Sequence, residues 1–120
     1  MKTKDVVANG KTFTIWKMNL GFKTDYQNAT TKVELINENG KLKREVQIDG
    51  SKIIMMAIVY GVYSSDDYNI PPPKDIGLGL SPEELNQRVR IVRQFDFDVT
   101  ELYEEINKFN VSEEPEVLKK

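Results

Sequence analysis

The fold turns on Ile53-Ile54-Met55-Met56-Ala57-Ile58-Val59-Tyr60-Gly61-Val62-Tyr63. Nearly every position is apolar, so periodicity does not separate a buried helix from a buried strand. Length favours a helix, because the run well exceeds the usual strand of about 5–6 residues. Met55-Met56-Ala57 favour a helix as well, and Asp49 or Ser51 stands where an N-cap would accept the first free N–H groups. The stretch therefore reads as a central, largely buried helix, with its β-branched residues keeping the strand alternative open.

Upstream of this run lie two hairpin signals. Asn9-Gly10 separates Asp5-Val6-Val7-Ala8 from Lys11-Thr12-Phe13-Thr14-Ile15-Trp16, and Asn39-Gly40 separates Lys32-Val33-Glu34-Leu35-Ile36 from a run in which Leu42, Arg44, Val46 and Ile48 alternate with Lys43, Glu45 and Gln47. Asn and Gly both tolerate the positive φ of a type I′ turn, and alternation with a period of two fits strands. In the first hairpin Phe13 and Ile15 fall on one face, with Thr12, Thr14 and Trp16 on the other. Residues 17–31 read as either a short helix or a loop: Gly21 breaks an early helix, and Thr24-Asp25-Tyr26-Gln27 could open a helical turn.

Downstream, Ser64-Ser65-Asp66-Asp67, Pro71-Pro72-Pro73 and Gly77-Leu78-Gly79 predict an irregular, exposed connection. Loops of this length are often functional or disordered. Ser81-Pro82-Glu83-Glu84 then has the form of a capping box with Pro in the first turn, followed by a stripe of Leu85, Val89, Val92 and Phe95 with Ile91 beside it. Asp98-Val99-Thr100-Glu101 repeats the capping logic, and Val99, Leu102, Tyr103, Ile106 and Phe109 form a second stripe. The expected fold class is α+β: N-terminal antiparallel hairpins of about four strands packed with about three helices in the C-terminal half. Residues 1–110 are expected to form one domain and 111–120 a flexible charged tail.

Composition narrows the chemistry. The chain has 120 residues, 39% hydrophobic and 30% charged, with 17 Lys and Arg against 19 Asp and Glu. That is ordinary globular usage, and a net charge of -2 sets up no field that draws the whole molecule to nucleic acid or an anionic membrane. There is no Cys and no His. Thiolate nucleophiles, structural zinc, Cys–His pairs and Ser-His-Asp triads are thereby excluded. The charged start Met1-Lys2-Thr3-Lys4-Asp5 does not read as a signal peptide, and the run Ile53–Val62 is shorter than the ~20 residues that span a bilayer. A cytoplasmic protein is expected, with no enzymatic activity, cofactor or metal.

Each remaining candidate has a blander alternative. Asp66-Asp67 and the pair Asp96 and Asp98 could offer oxygens to Mg²⁺ or Ca²⁺, but their spacing fits no EF-hand pattern, no Gly-rich phosphate loop accompanies them, and they read as a solvated loop and a helix cap. Gly77 and Gly79 lack the third glycine of a dinucleotide fingerprint and read as turn residues. Arg88, Arg90 and Arg93 could touch phosphates; without an interleaved aromatic platform, they read as a solvated helical face in which an arginine pairs with Glu84. Tyr60, Tyr63, Tyr103 and Phe109 are first of all core candidates. The last helix is nevertheless amphipathic and terminal, so Leu102, Tyr103, Ile106 and Phe109 are the candidate partner-binding residues, in a helix-in-groove mode.

The opening Val6-Val7-Ala8-Asn9-Gly10-Lys11-Thr12-Phe13-Thr14-Ile15 resembles the N-terminal strand, Gly-Lys-Thr, strand arrangement of tail assembly chaperones from long-tailed phages. The closing Leu102-Tyr103-Glu104-Glu105-Ile106-Asn107-Lys108-Phe109-Asn110 is similar to the way such proteins end. The resemblance implies a non-enzymatic factor in phage morphogenesis that binds the tape-measure protein, keeps it soluble and helps recruit tail-tube subunits. It transfers no functional residue. The alternatives are a structural connector or regulatory interaction module, in which self-association would fit, and, more remotely, a nucleic-acid-binding protein.

Overall fold

The computed structural model describes residues 1–48 and 50–111, with 32–38, 42–48 and 50–51 described by backbone alone. Its elements run β1 (Thr3–Ala8), β2 (Lys11–Trp16), α1 (Leu20–Thr30), β3 (Thr31–Glu38), β4 (Lys41–Ile48), α2 (Gly50–Gly61), β5 (Val62–Ser64), α3 (Pro82–Val92) and α4 (Thr100–Asn110). The class is α+β, as the sequence implies. It carries one more strand and one more helix than expected, in two sheets ordered β1-β2-β5 and β3-β4. Asp49, expected as a cap, and the tail 112–120 lie outside the described residues.

Both Asn-Gly turns close hairpins. Asn9 and Gly10 have φ of 56° and 71°, Asn39 and Gly40 54° and 80°, the left-handed values that a two-residue turn needs to follow strand twist. Ala8 then pairs with Lys11, and Glu38 with Lys41, with unbroken antiparallel registers beyond. The ambiguous stretch 17–31 contains α1. Asn19 supplies the start signal, its Oδ1 accepting from Phe22 N at 2.9 Å, which satisfies one of the orphan donors of the first turn.

The apolar run divides. Helix α2 ends at Gly61, and Val62–Ser64 turn into β5, antiparallel to β2. The expectation of helix through Tyr63 is therefore corrected by two residues, and the strand alternative holds for those two. Gly61 is where the backbone must come close to another element: a Cβ there would sit 2.5 Å from Cγ2 of Ile106 on α4. The contact lets α4 lie against the end of α2.

Both faces of the sheet are covered around Trp16. Phe13 and Ile15 are fully buried, as the alternation predicts, but Trp16 on the opposite parity is buried too. Its ring meets Phe22 edge-on at 4.8 Å and Tyr63 at 5.6 Å, and its indole N–H donates to the Tyr60 carbonyl at 2.9 Å. A buried tryptophan needs such an acceptor. Asn110, the last residue of α4, ties that helix to the same strand end: its Nδ2 donates to Trp16 O and its Oδ1 accepts from Met18 N.

The main departure from expectation lies on α3. Its buried residues are Glu84, Arg88 and Val92, while Leu85, Val89 and Ile91 are only half-buried. Arg88, read from sequence as part of a solvated face, is 3% exposed. Its guanidinium donates to the carbonyls of Val59, Val62, Tyr63 and Pro71, with 3.0 Å to Val59 and 2.8 Å to each of Tyr63 and Pro71. Val59 lies in the last turn of α2, where carbonyls have no intrahelical partner. A fixed cation there also complements the negative end of the helix dipole. Burial pushes Arg88 down to about 10, with the nearby Glu84 charge acting in the opposite direction, so it is cationic at neutral pH.

Glu84 completes the arrangement. Its Oε1 accepts from Ser81 N and its Oε2 from Lys74 N, both at 2.9 Å, while Ser81 Oγ accepts from Glu84 N. The capping box forms as its sequence predicts. Its carboxylate also fastens the preceding loop, which the sequence shows only as an irregular exposed connection. Pro73 in that loop is buried, Asn19 Nδ2 donates to Ile76 O, and Ser65 pairs with Ile70 through two backbone bonds of 2.9 and 2.8 Å. Among the described residues, no buried side-chain nitrogen or oxygen is left without a hydrogen-bond partner.

Two outcomes are expected. Arg88→Met should lower unfolding free energy by about 3 kcal/mol or more in urea titrations, because Met keeps the volume but removes every donor, including those to the buried contacts with Val59 O and Val62 O; Arg90→Met, on the exposed side of the same helix, should change it by about 0.5 kcal/mol at most. The backbone N–H groups of Ser81 and Lys74 hold the Glu84 carboxyl below its usual range. A depressed carboxyl contributes stability above its unfolded pKa of about 4.3 that is lost as pH falls through the folded value. Thermal midpoints measured between pH 6 and pH 3 should therefore fall less steeply for Glu84→Gln than for the native chain.

Candidate partner-binding surface

The four residues expected to meet a partner divide by burial. Leu102 and Ile106 are 0% and 1% exposed, packed in the core, with Ile106 against Gly61. They are not offered at the surface in this fold, because the apolar stripe of α4 faces inward onto α2 and the first hairpin. Tyr103 and Phe109 are half-buried at the edges of that stripe. Tyr103 lies near Tyr26 of α1, whose hydroxyl is pushed up first by burial and then by Tyr103. A recess of about 350 Å³ lined by Met18, Tyr26, Asn107 and Val111 lies between α1 and the end of α4.

The start of α4 also differs from its reading. The N-cap is Val99, which makes no side-chain cap bond. Asp98 acts one residue earlier, its Oδ1 accepting from Thr100 N at 2.9 Å and Thr100 Oγ1 at 2.6 Å. Those bonds hold its carboxyl below the usual range. On the surface of α4, Glu105 accepts from Lys4 at 2.9 Å, linking the closing helix to the opening strand.

Arg88 is withdrawn from the basic face by burial, which leaves Arg90 and Arg93 exposed beside a recess lined also by Asn86, Val89 and Gln94. The acidic residues are rearranged more instructively. Asp67 and Asp96, distant in sequence, line one open recess of about 490 Å³ with Tyr68, Phe95, Phe97 and Arg90. Among the described residues, no group of three or more carboxylates could hold a metal ion. Gly77 and Gly79 sit in a turn organised by Asp75, whose Oδ1 accepts from Gly77 N, so the turn reading holds.

Phe95, read from sequence as the end of the α3 stripe, lies beyond Val92, where that helix ends, and turns to this recess instead; Tyr68 and Phe97 escaped the sequence reading. Phe13, buried in β2, stacks on Tyr68 at 5.2 Å and meets Phe95 edge-on at 6.0 Å. Phe97 extends the cluster outward, 5.0 Å from Phe95 and 6.1 Å from Tyr68. Tyr68, Phe95 and Phe97 are half-buried, on segments outside the regular elements. A signal was present: Asp67-Tyr68 and Phe95-Asp96-Phe97-Asp98 both set acid against aromatic ring in short connecting segments.

The frame around the recess is fixed. Asp67 Oδ2 accepts from Thr12 N at 2.8 Å and Ser65 Oγ donates to Thr12 O, which fastens the 66–69 turn to the first hairpin. Gln94 N and Phe95 N donate to Ile91 O and Val92 O, continuing the end of α3 into the other wall. Among the described residues, no helix is long and apolar enough to cross a membrane. Comparison with protein-family models, with curated proteins and with solved structures finds no match to this chain.

If the α4 stripe serves as core, Ile106→Ala should destabilise the chain by about 2–5 kcal/mol, measured by chemical denaturation. Tyr103→Ala, at the edge of the stripe, should cost clearly less.

Proposed function

We propose that this chain is a non-enzymatic protein-binding factor. The observation that carries the reading is the use to which charge and aromatic surface are put. The buried ions Arg88 and Glu84 are taken up in holding α2, α3 and the 65–80 loop together. What remains exposed is a preformed recess of aromatic rings and mixed charges on loop segments. Aromatic residues held part-exposed by a rigid frame suit protein recognition, where they supply contact area at low entropic cost. A chain without His or Cys offers few groups for proton transfer or covalent catalysis at neutral pH.

Within that class, the reading we favour is a tail assembly chaperone of a long-tailed phage, acting on the tape-measure protein and assisting tail-tube assembly. The support is the resemblance of the opening hairpin at Val6–Ile15 and the closing helix at Leu102–Asn110. The hairpin that carries the first segment packs against α4, and residues flanking that segment are tied to the helix: Lys4 to Glu105, and Trp16 and Met18 to Asn110. Such a factor would work in the host cytoplasm.

Co-expression with a phage tape-measure protein should raise the soluble fraction of that protein several-fold and lead to co-purification. No gain in solubility and no co-purification would overturn the chaperone reading.

A further inference from the structure

We infer that the recess between the 66–69 turn and residues 94–97 receives a cationic side chain, arginine or lysine, from an extended segment of a partner protein. The inference rests on the protein-binding reading above and adds to it the place and the chemistry of contact.

Tyr68, Phe95 and Phe97 bring three half-buried rings within 4.8 to 6.1 Å of one another, centroid to centroid. The faces of such rings carry the negative end of their quadrupole and attract a cation within about 6 Å. The recess also holds two carboxylates, Asp67 and Asp96, one on each wall. Rings and carboxylates favour the same sign of ligand, and a guanidinium or ammonium on an aliphatic stem satisfies both: the stem covers apolar ring surface while the head meets the carboxylates.

Arg90 is the one opposing charge. It lines both this recess and the adjoining one with Arg93, so it stands at the boundary between an acidic, aromatic recess and a basic one. Two carboxylates against one guanidinium leave the first recess net negative. The same balance disfavours a nucleic-acid strand, whose phosphates would have to pass Asp67 and Asp96 to bring bases onto the rings. The structure thus supplies the aromatic platform that the basic residues lacked in sequence, but surrounds it with the wrong charge for phosphate.

The recess is also prepared before any partner arrives. The Ser65–Ile70 backbone pair, the Asn69 N to Asp66 O bond of 3.2 Å and the Asp67–Thr12 contact fix the turn that carries Tyr68, and buried Phe13 supports Tyr68 and Phe95 from below. Little ordering is left for binding to impose.

The test is an NMR titration of the full-length chain at low salt. An extended Gly/Ser peptide carrying two arginines is compared with the same peptide carrying two glutamates, and with a short oligodeoxythymidine. The arginine peptide should give saturable shifts of the Tyr68, Phe95 and Phe97 ring resonances, with none from the glutamate peptide or the oligonucleotide. Asp96→Asn and Phe97→Leu should each weaken its binding at least threefold. The first removes an exposed charge and the second keeps apolar volume while removing the ring, and an otherwise unchanged spectrum of each variant would establish that it folds. Absence of saturable shifts with the arginine peptide, equal shifts with the glutamate peptide, or undiminished affinity in Asp96→Asn would overturn the inference. Ring shifts with oligodeoxythymidine alone would assign the recess to nucleic acid instead. Failure here alongside co-purification of the tape-measure protein would place the partner surface elsewhere; arginine binding without any effect on the tape-measure protein would remove the phage reading and keep the recess.

Discussion

The guanidinium of Arg88 holds together four separate parts of the chain. It reaches carbonyls in the last turn of α2, in β5 and in the proline segment, and it is carried by α3. A buried cation without partners would cost several kcal/mol. Four carbonyl acceptors and the nearby Glu84 reduce that cost, and in return one orphan carbonyl at the end of α2, that of Val59, is satisfied. The consequence is geometric. The turn from α2 into β5 brings the central apolar run onto β2, and the 65–80 connection has to follow the surface of α3. Glu84 repeats the device one turn earlier by binding Lys74 N. Two charged residues four apart thus fix a long connection that has little regular structure of its own.

That fixed connection is what gives the surface its most specific feature. The 66–69 turn is bound to the first hairpin through Thr12, and the stretch after α3 stays close to it, so two short acid-and-aromatic segments meet over Phe13. The rings are too many for one side to bury fully and too well supported to be mobile on their own. A recess of this kind follows from contacts between distant segments rather than from any motif. Leu102 and Ile106 are engaged by the core, with Gly61 allowing α4 to approach α2 closely.

Much of the fold was legible where local rules are strong. Two Asn-Gly turns, the Ser81–Glu84 capping box and the alternation at Phe13 and Ile15 all appear as the residues dictate, because each depends on backbone preference or on neighbours a few positions away. The readings that changed depended on partners far along the chain. Helix α1 has a weak apolar pattern and is marked mainly by the Asn19 cap. Val62 and Tyr63 leave the helical run because β2 offers an edge to pair with. Asp98 sits one residue early for a cap, since it closes onto Thr100 instead.

The sequence by itself determined an α+β chain with two tight hairpins and two well-signalled helices in its C-terminal half, and, having neither His nor Cys, a chain without their catalytic and metal chemistry. Those follow from turn geometry, capping and composition, which act locally or on the chain as a whole. Only the tertiary structure decided which face of α3 turns inward, because an amphipathic pattern counts Arg88 as polar and cannot foresee four carbonyls waiting for it. For the same reason the union of Asp67, Tyr68, Phe95, Asp96 and Phe97 was invisible in one dimension: two loops distant in sequence meet there over Phe13, with the 66–69 turn bound to Thr12.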